Sequence, residues 1–466
     1  MTHMSTRRYF GTDGIRGVAG ATPMTASFAL DLGAATADHL RHRIGGRPTV
    51  VIGRDTRRSG PMLVAAMTAG LTSGGADVVD LGIMPTPGVS HVLAALGAHA
   101  GVMVSASHNP FDDNGIKIFG PDGAKLTDEE EVELELRLAN GRADTPPQTG
   151  TDLGGASRYR SEDGHYVRFL LQQAPYLDGL RVGLDCAHGA AYALAPIVFQ
   201  RIGARLDVIN AKPDGANINA GCGSTHPEAL SERVVAAGLD VGVTFDGDAD
   251  RALLVDRRGR LVSGDHILAI CAVARGERAV VATHMTNLGT ERYLAERGVT
   301  LHRVAVGDRY VLEGLRAEGL TLGGEQSGHV LFLDKAPTGD GILTALLVLA
   351  ACRASGRPLE TWVDEIPVFP QRLLNVRVPA GAKDALGADP EVAAAVAAAE
   401  ADLGADGRVL VRASGTEPIV RVMVEAATAD AVDRWTERLA AAVEGAAARI
   451  AAAVQAPDAG APATAS

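Results

Sequence analysis

Three aspartates stand at alternate positions directly after an apolar run: Asp246, Asp248 and Asp250. In an extended segment alternate side chains point to one face, so we expect the three carboxylates to converge. Converging carboxylates repel one another unless a divalent cation neutralises them, and oxygen ligands indicate Mg²⁺ or Ca²⁺. An EF-hand calcium loop starting at Asp246 would need Gly and Glu where this chain has Arg251 and Arg257. The spacing therefore favours an open Mg²⁺ site over a solvated acidic turn.

A serine lies beside a histidine in the turn Ser105–Pro110, which also follows an apolar run. Ser107 next to His108 suggests a hydrolase, but neighbouring strand residues point to opposite sides and the chain has no G-x-S-x-G elbow. We favour a Ser107 that carries a phosphoryl group and so supplies the metal with an oxygen, over a simple turn hydrogen bond. Lys117 follows on the chain, and a proton-transfer group, a phosphate contact and a solvated surface lysine all stay open for it.

A third polar motif contains Glu325, Ser327 and His329 at alternate positions. Carboxylate, hydroxyl and imidazole in one row suit the hydrogen bonding of sugar hydroxyls or of an amine. The alternative is that Glu325 caps a backbone turn.

A fourth motif combines hydroxyls, glycine and arginines between two predicted strands. These are the parts of a phosphate cradle, although a β-turn with surface arginines is the alternative. Its residues are Arg412, Ser414, Gly415, Thr416 and Arg421. Near the N-terminus, Thr12 and Arg16 offer further anion contacts, whereas Arg54, Arg57 and Arg58 are typical of a solvated face and are not assigned to the site.

The segments that must position these motifs repeat one pattern three times. Short apolar runs alternate with amphipathic stretches over 49–105, 181–245 and 279–322, which is typical of βαβαβ units. Each third run ends at one of the polar motifs, and open α/β sheets bind ligands at the carboxyl ends of their strands. The repeat therefore predicts one shared site.

The expected fold is α/β, with three similar βαβαβ-type domains of mixed or parallel sheets and a smaller C-terminal α+β domain around a central cleft. After Pro370 the strands 373–378, 408–412 and 419–426 and the helix 429–454 indicate that fourth domain. The predicted boundaries are 1–155, 156–257, 258–370 and 371–454, followed by a disordered tail over 455–466.

Charge and composition exclude several classes of protein. The 466 residues contain 44 Lys and Arg against 56 Asp and Glu, a net charge of −12, and few aromatic residues. Neither feature suits a nucleic-acid partner. No apolar run approaches the ~20 residues of a membrane span, and no signal peptide is visible. Four scattered cysteines are typical of reduced thiols, so we predict a cytoplasmic protein with no membrane partner.

The motifs, in this order, resemble the α-D-phosphohexomutase superfamily over almost the whole chain. The matching pieces are Tyr9–Gly17, Ser105–Pro110, Asp246–Arg251, Gly324–His329 and Arg412–Pro418. The resemblance implies that Ser107 is a phosphoserine, and that its phosphate and the three aspartates bind one Mg²⁺ per active site. It implies catalytic roles for Arg16, His108, Lys117 and Arg251, sugar binding by Glu325, Ser327 and His329, and distal-phosphate binding by the fourth motif.

Within that superfamily, Gln326 and the stretch Val306–Arg309 favour members that act on an amino-sugar phosphate. The implied reaction interconverts glucosamine 6-phosphate and glucosamine 1-phosphate, for UDP-N-acetylglucosamine and cell-wall precursor synthesis. Glucose or glucosamine 1,6-bisphosphate would be the activator or intermediate. The alternatives are a phosphomannomutase or phosphoglucomutase, a Mg²⁺-dependent sugar phosphatase, and a sensor that binds without turnover. A homodimer stays an open expectation.

Overall fold

The computed structural model describes residues 7–11, 13–140, 148–159, 164–174, 176–379, 386, 389–413 and 418–455. The chain divides into two compact units. The first unit contains Met1–Thr286 and Tyr293–Ile366, and the second contains Asn287–Arg292 and Pro367–Ser466.

The first sheet has seven strands in the order β1-β2-β6-β5-β3-β4-β7. In chain order these strands are β1 (Phe10–Gly11), β2 (Gly14–Val18), β3 (Thr49–Arg54), β4 (Asp77–Ile83), β5 (Ala100–Val104), β6 (Asp113–Phe119) and β7 (Ala156–Arg158). The helices that accompany them are α1 (Ala26–Ile44), α2 (Gly60–Ser73), α3 (Thr86–Leu96) and α4 (Asp128–Asn140).

The second sheet has five strands in the order β12-β11-β10-β8-β9. Its strands are β8 (Arg181–Asp185), β9 (Arg205–Ile209), β10 (Val241–Phe245), β11 (Ala252–Asp256) and β12 (Leu261–Val262), and its helices are α5 (His165–Gln173), α6 (Ala191–Arg201) and α7 (Glu228–Ala236).

The third sheet has four strands in the order β14-β13-β15-β16. Its strands are β13 (Ala279–Thr283), β14 (Thr300–Val304), β15 (Leu322–Gly324) and β16 (Val330–Phe332). The helices of this region are α8 (Gly264–Arg275), α9 (Leu288–Ala295), α10 (Asp308–Glu318), α11 (Gly341–Ser355) and α12 (Leu359–Glu365).

The three sheets share one arrangement. In each, the first strand of the βαβαβ repeat (β3, β8 or β13) lies between the second and third strands of that repeat and pairs with both in parallel, and a fourth strand pairs antiparallel with the third. These antiparallel strands are β6, β11 and β16. The α/β class and the three similar domains are confirmed, and the sheets are mixed. The sequence pattern did not predict these antiparallel fourth strands.

Helices α8 and α11 begin at well-formed caps. The Asp340 carboxylate accepts the N–H of Leu343 at the start of α11, and Ser263 forms a capping box with His266 at the start of α8. Both helices are largely buried and pack against each other in the largest apolar core cluster, which spans all three sheets. The start of α11 is thereby held in the core of the first unit.

The second unit contains an antiparallel sheet of three strands in the order β17-β19-β18. Its elements are β17 (Gln371–Arg377), α13 (Pro390–Leu403), β18 (Gly407–Ala413), β19 (Ile419–Ala426) and α14 (Ala429–Gln455). The predicted α+β character is confirmed, and α13, which the sequence pattern did not predict, packs against α14 and β18. The predicted disordered tail lies, from residue 456 onward, outside the described residues.

No single helix of the described residues is both long and apolar enough to span a bilayer. Gly341–Ser355 and Leu359–Glu365 reach that length and composition only as a pair bent by 90°.

Candidate active site

Three loops of the first unit occupy equivalent places, each between the third strand and its antiparallel fourth strand. Ser107 lies between β5 and β6, Asp246–Asp250 between β10 and β11, and Glu325 between β15 and β16. Residues of all three loops line a cavity of about 570 Å³. The shared site predicted from the repeat is therefore formed within this unit. The lining residues that the argument uses are Asp13, Arg16, His108, Asp250, Arg251 and Glu325.

The three aspartates converge and are buried. Each offers one carboxylate oxygen, and these atoms lie within 4.8 Å of one another. The prediction that the aspartates share one face of an extended segment is wrong. The segment is a turn, in which Ala249 has a φ of 55°. A turn brings the carboxylates closer together than alternate positions on a strand would.

The cluster fits a divalent cation because two of its buried oxygens are left without donors. Asp248 Oδ1 and Asp250 Oδ1 accept no hydrogen bond from the described residues. Burial, together with the charges of Asp250 and Asp248, raises the pKa of Asp246 well above its usual range. Carboxylate oxygens that lack a donor are ligands that Mg²⁺ binds.

Ser107 is buried and faces the aspartates. Its Oγ donates to Asp246 Oδ2 at 2.5 Å and lies 3.4 Å from His108 Nδ1. The expectation that Ser107 and His108 point to opposite sides is wrong, because Ser107 has a φ of 53° and does not continue the strand. The serine is thus directed at the aspartate cluster with a histidine beside it.

Two side chains hold the backbone of the Ser107 loop. Arg57 Nη2 donates to the carbonyl oxygens of Ser107 and Asn109, at 3.2 and 2.5 Å. Asn219 Nδ2 donates to the same two oxygens, both at 2.9 Å. Arg57 is completely buried and pairs with Asp55, so its assignment to a solvated face is wrong. We call Arg57 and Asn219 the carbonyl clamp.

Ser105 connects the carbonyl clamp to Ser107. Its Oγ donates to Asp55 at 2.6 Å and accepts the N–H of Ser107 at 3.0 Å. By contrast, Arg58 is exposed and Arg54 is half-buried. Only one of the three arginines in this segment therefore supports the loop.

Lys117 is buried on β6, so the surface alternative for this lysine is wrong. Its Nζ lies 2.9 Å from Asp248, 3.1 Å from Asp13 and 3.4 Å from Asp250. Burial alone would lower the pKa of Lys117, but the three carboxylates outweigh it and raise the pKa well above its usual range. At neutral pH the lysine is a cation that can donate hydrogen bonds and balance anionic charge.

Arg16, His108 and Arg251 line the cavity near Ser107. Arg16 donates to Asn109 Oδ1 at 3.1 Å, and Arg251 Nη1 lies 3.2 Å from His108 Nδ1. Burial, then the charges of Arg251 and Arg16, lower the pKa of His108 to about 4, so its ring is neutral at pH 7. Two guanidinium groups beside a neutral imidazole suit an anionic group in this part of the cavity.

The three predicted residues of the third loop differ in burial and in their partners. Glu325 is half-buried and its Oε1 accepts the N–H of Gly307 at 3.0 Å, while Ser327 is exposed. His329 is buried, 3.6 Å from Asp250 and 3.8 Å from Asp308. All three line the cavity, but the nearest charged groups to His329 are carboxylates of the protein. Sugar binding by these residues stays a prediction.

A chain of charges connects the first and third sheets and was missed in the sequence. Lys125 pairs with Asp13 and lies 2.5 Å from Asp308, and Asp13 also pairs with Arg16. Asp13 lies in the N-terminal motif and Asp308 in Val306–Arg309, so both motifs were noted without these residues being singled out. Nothing in the sequence indicates that Lys125 reaches both.

The fourth motif belongs to the second compact unit. Arg412 on β18 and Arg421 on β19 are directly opposite each other, which places both side chains on one face of the sheet. Ser414, Gly415 and Thr416 lie outside the described residues, as does Thr12. The phosphate cradle therefore stays a prediction.

Comparison with known proteins gives matches along the whole chain. Four family models match, described as phosphoglucomutase/phosphomannomutase alpha/beta/alpha domains I, II and III and the C-terminal domain. They cover residues 7–144, 165–259, 263–369 and 373–442. A phosphoglucosamine mutase of Deinococcus radiodurans is 54% identical over 91% of this chain and 94% of its own length. One of Thermus thermophilus is 53% identical over 93% and 96%.

Solved structures agree. A phosphoglucomutase/phosphomannomutase family protein of Burkholderia thailandensis aligns with a TM-score of 0.77 at 27% identity, over 93% of this chain and 97% of that one. An Aspergillus fumigatus N-acetylphosphoglucosamine mutase, in complex with GlcNAc-6P and magnesium, aligns with a TM-score of 0.65 over 94% and 96%. At 19% identity that second match shows the fold alone. Because the family models and the relatives account for nearly all of its residues, the chain belongs to the phosphoglucomutase/phosphomannomutase family.

Proposed function

We propose that the protein is an intramolecular phosphotransferase that interconverts glucosamine 6-phosphate and glucosamine 1-phosphate. The observation that carries the proposal is a buried Ser107 Oγ, 2.5 Å from Asp246, in an aspartate cluster with two unpaired oxygens. The relatives named phosphoglucosamine mutase support the choice of an amino sugar. Phosphomannomutase or phosphoglucomutase activity is the second candidate, because the family models carry those names.

The reaction begins with Ser107 phosphorylated. Its O–P bond breaks as the free hydroxyl of the sugar phosphate forms a new one, which gives a 1,6-bisphosphate. The bisphosphate then reorients and returns its other phosphoryl group to Ser107. In the unphosphorylated enzyme Asp246 holds the serine hydroxyl, and the carbonyl clamp keeps its backbone in place while the sugar turns. Ser107 can therefore accept the second phosphoryl group without moving.

Mg²⁺ would be held by Asp246, Asp248, Asp250 and the phosphoryl group of Ser107, where it would neutralise charge on the transferring group. The protein adds cationic donors around the same point. Lys117 donates to Asp248, and Arg251 and Arg16 are placed to hold phosphoryl oxygens. The magnesium complex of the Aspergillus fumigatus enzyme supports this choice of cation.

Substrate binding is assigned to the third and fourth motifs. Glu325 presents a carboxylate to the cavity and suits the amino group or a hydroxyl of the sugar. Arg412 and Arg421, with Ser414, Gly415 and Thr416, would bind whichever phosphate is not reacting.

We also propose the four domain boundaries given above, a cytoplasmic protein without nucleic-acid or membrane partners, and a product used for cell-wall precursors.

The test is a Ser107→Ala variant beside a matched Ser73→Ala control on α2. We expect loss of turnover and of a phosphorylated species in the intact mass spectrum of Ser107→Ala, with both retained in Ser73→Ala. Normal turnover by Ser107→Ala would sink the phosphoserine mechanism. Net release of inorganic phosphate would instead show a phosphatase, and binding without turnover a sensor.

The sugar is tested separately. Values of kcat/KM for the phosphates of glucosamine, glucose and mannose are measured on one preparation. We expect glucosamine phosphate to be preferred, and a preference for mannose or glucose phosphate would establish the second candidate.

A further inference from the structure

Thr86, the first residue of α3, contacts both the backbone and the side chain of Asp248. Its Oγ1 donates to Asp248 Oδ2 at 2.5 Å, and its N–H donates to the Asp248 carbonyl at 2.9 Å. Neither side chain is exposed to solvent. A threonine of the first sheet's region is thus hydrogen-bonded to the aspartate loop of the second.

The two carboxylate oxygens of Asp248 have different surroundings. Oδ2 receives two donors, Thr86 Oγ1 and Lys117 Nζ at 2.9 Å. Oδ1 is buried and accepts nothing from the described residues. Rotation of the carboxylate would leave the buried Thr86 hydroxyl unpaired and would take one of its three carboxylate partners from Lys117, which is costly, so the donors keep Oδ1 directed into the aspartate cluster.

Lys117 alone does not fix that orientation. Its Nζ is shared among Asp13, Asp248 and Asp250, and an ammonium group has no preferred direction. Among the described residues the Thr86 hydroxyl hydrogen-bonds to Asp248 alone, and the flanking Pro85 and Pro87 restrict the backbone that carries it. The single-partner contact is therefore the one that determines the carboxylate's orientation.

We propose that Thr86 is a positioning residue that orients Asp248 toward the divalent cation. The inference rests on the metal site of the proposed function. Groups that orient a metal ligand in this way change metal affinity by about 10–100-fold when they are removed.

The experiment measures Mn²⁺ affinity of the full-length protein by electron paramagnetic resonance of free Mn²⁺, without substrate. Thr86→Val keeps the shape of the side chain and deletes the hydroxyl, so we expect Kd to rise by about 10–100-fold. Thr86→Ser restores a hydroxyl and should return Kd to near the wild-type value. Thr344→Val is the control, because Thr344 is equally buried and its hydroxyl has no partner among the described residues.

Turnover gives an independent reading. We expect Thr86→Val to need more Mg²⁺ for half-maximal rate and to recover most of its kcat at saturating Mg²⁺. If Thr86→Val does not fold, Thr86→Ala carries the same test. Wild-type Mn²⁺ affinity in a folded variant without the hydroxyl, or no Mn²⁺ binding by the wild type, would overturn the proposal. Mn²⁺ binding that depends on Thr86 in a protein that does not turn over glucosamine phosphate would sink only the proposed reaction.

Discussion

Ser107 has a backbone conformation that residues with a side chain seldom adopt, and its neighbours hold it there. A φ of 53° in a non-glycine residue costs about 1–3 kcal/mol unless the surroundings compensate. The carbonyl clamp supplies four hydrogen bonds to the two carbonyls of this loop. Because the clamp binds Ser107 through its backbone carbonyl, it leaves the Ser107 side chain free to face Asp246.

Replacement of Arg57 by lysine tests the carbonyl clamp. Lysine keeps the charge but cannot donate simultaneously to both carbonyls and Asp55 with a planar fork. Since misplacing a reacting group by about 1 Å costs roughly 100-fold, we expect kcat to fall by about 10–100-fold with little change in KM. Arg58→Lys, at the exposed neighbouring position, is the control. A wild-type kcat in Arg57→Lys would show that the clamp is not required.

At the scale of elements, the start of α11 is placed against the aspartate loop by one buried carboxyl group. Asp340 caps the helix, and Tyr166 of α5 donates to its carboxylate at 3.0 Å. The adjacent N–H of Gly341 donates to the carbonyl of Ala249 at 3.0 Å. The start of α11 is thereby hydrogen-bonded to the turn that carries the three aspartates.

The cap predicts a pH dependence of stability. Burial raises the pKa of Asp340 to about 7, against about 4 in an unfolded chain. Between these values the folded protein holds a proton that the unfolded chain has lost, so this group's contribution to stability falls as pH rises. Asparagine caps helices equally well and does not titrate. We expect the Tm of Asp340→Asn, relative to wild type, to increase from about pH 5 to about pH 8.

The control for this experiment is Asp152→Asn, at an exposed aspartate. Parallel pH profiles of Tm for Asp340→Asn and wild type would contradict the assignment.

At the scale of the first compact unit, Lys125 joins distant parts of the chain. Its ammonium lies between Asp13 and Asp308, both of which line the cavity. Burial would raise the pKa of Asp13, but Lys117 and Lys125 hold it well below the usual range. Two partly buried carboxylates therefore share the Lys125 ammonium, and Asp13 also pairs with Lys117 and Arg16.

Removal of that cation should destabilise the unit. Lys125→Met takes the ammonium from Asp308 and one of three cations from Asp13, so we expect the free energy of unfolding to fall by less than the roughly 3–5 kcal/mol of a fully buried pair, and Tm to fall by about 5 °C. Adding Asp308→Asn should recover part of the loss. Lys335→Met, at a partly exposed lysine, is the control. Equal Tm values for Lys125→Met and Lys335→Met would refute a special role for Lys125.

The sequence indicated the strands and the chemistry of the site more reliably than its geometry. Apolar runs predicted the three parallel strands of each βαβαβ repeat, and the central strand of each is buried along most of its length. The fourth strands were missed since each is short or begins in a polar loop. Lys117 could not be distinguished from a surface lysine because its burial depends on the second sheet. Arg57, Thr86 and Asn219 carry no local signal, since each acts on a residue far away in the chain.

The placement of the site loops between antiparallel strands bears on how substrate range can change in evolution. A segment tethered at both ends to adjacent strands can be exchanged as a module without altering the order of the sheet. All three loops are braced from outside, the Glu325 loop by the N–H groups of Gly264 and Ala252, which donate to the carbonyls of Gln326 and Gly328. Any sequence exchanged into the Glu325 loop would have to keep glycine at position 328. Gly328 has a φ of 90°, and a Cβ there would lie 2.2 Å from the carbonyl oxygen of Ala252.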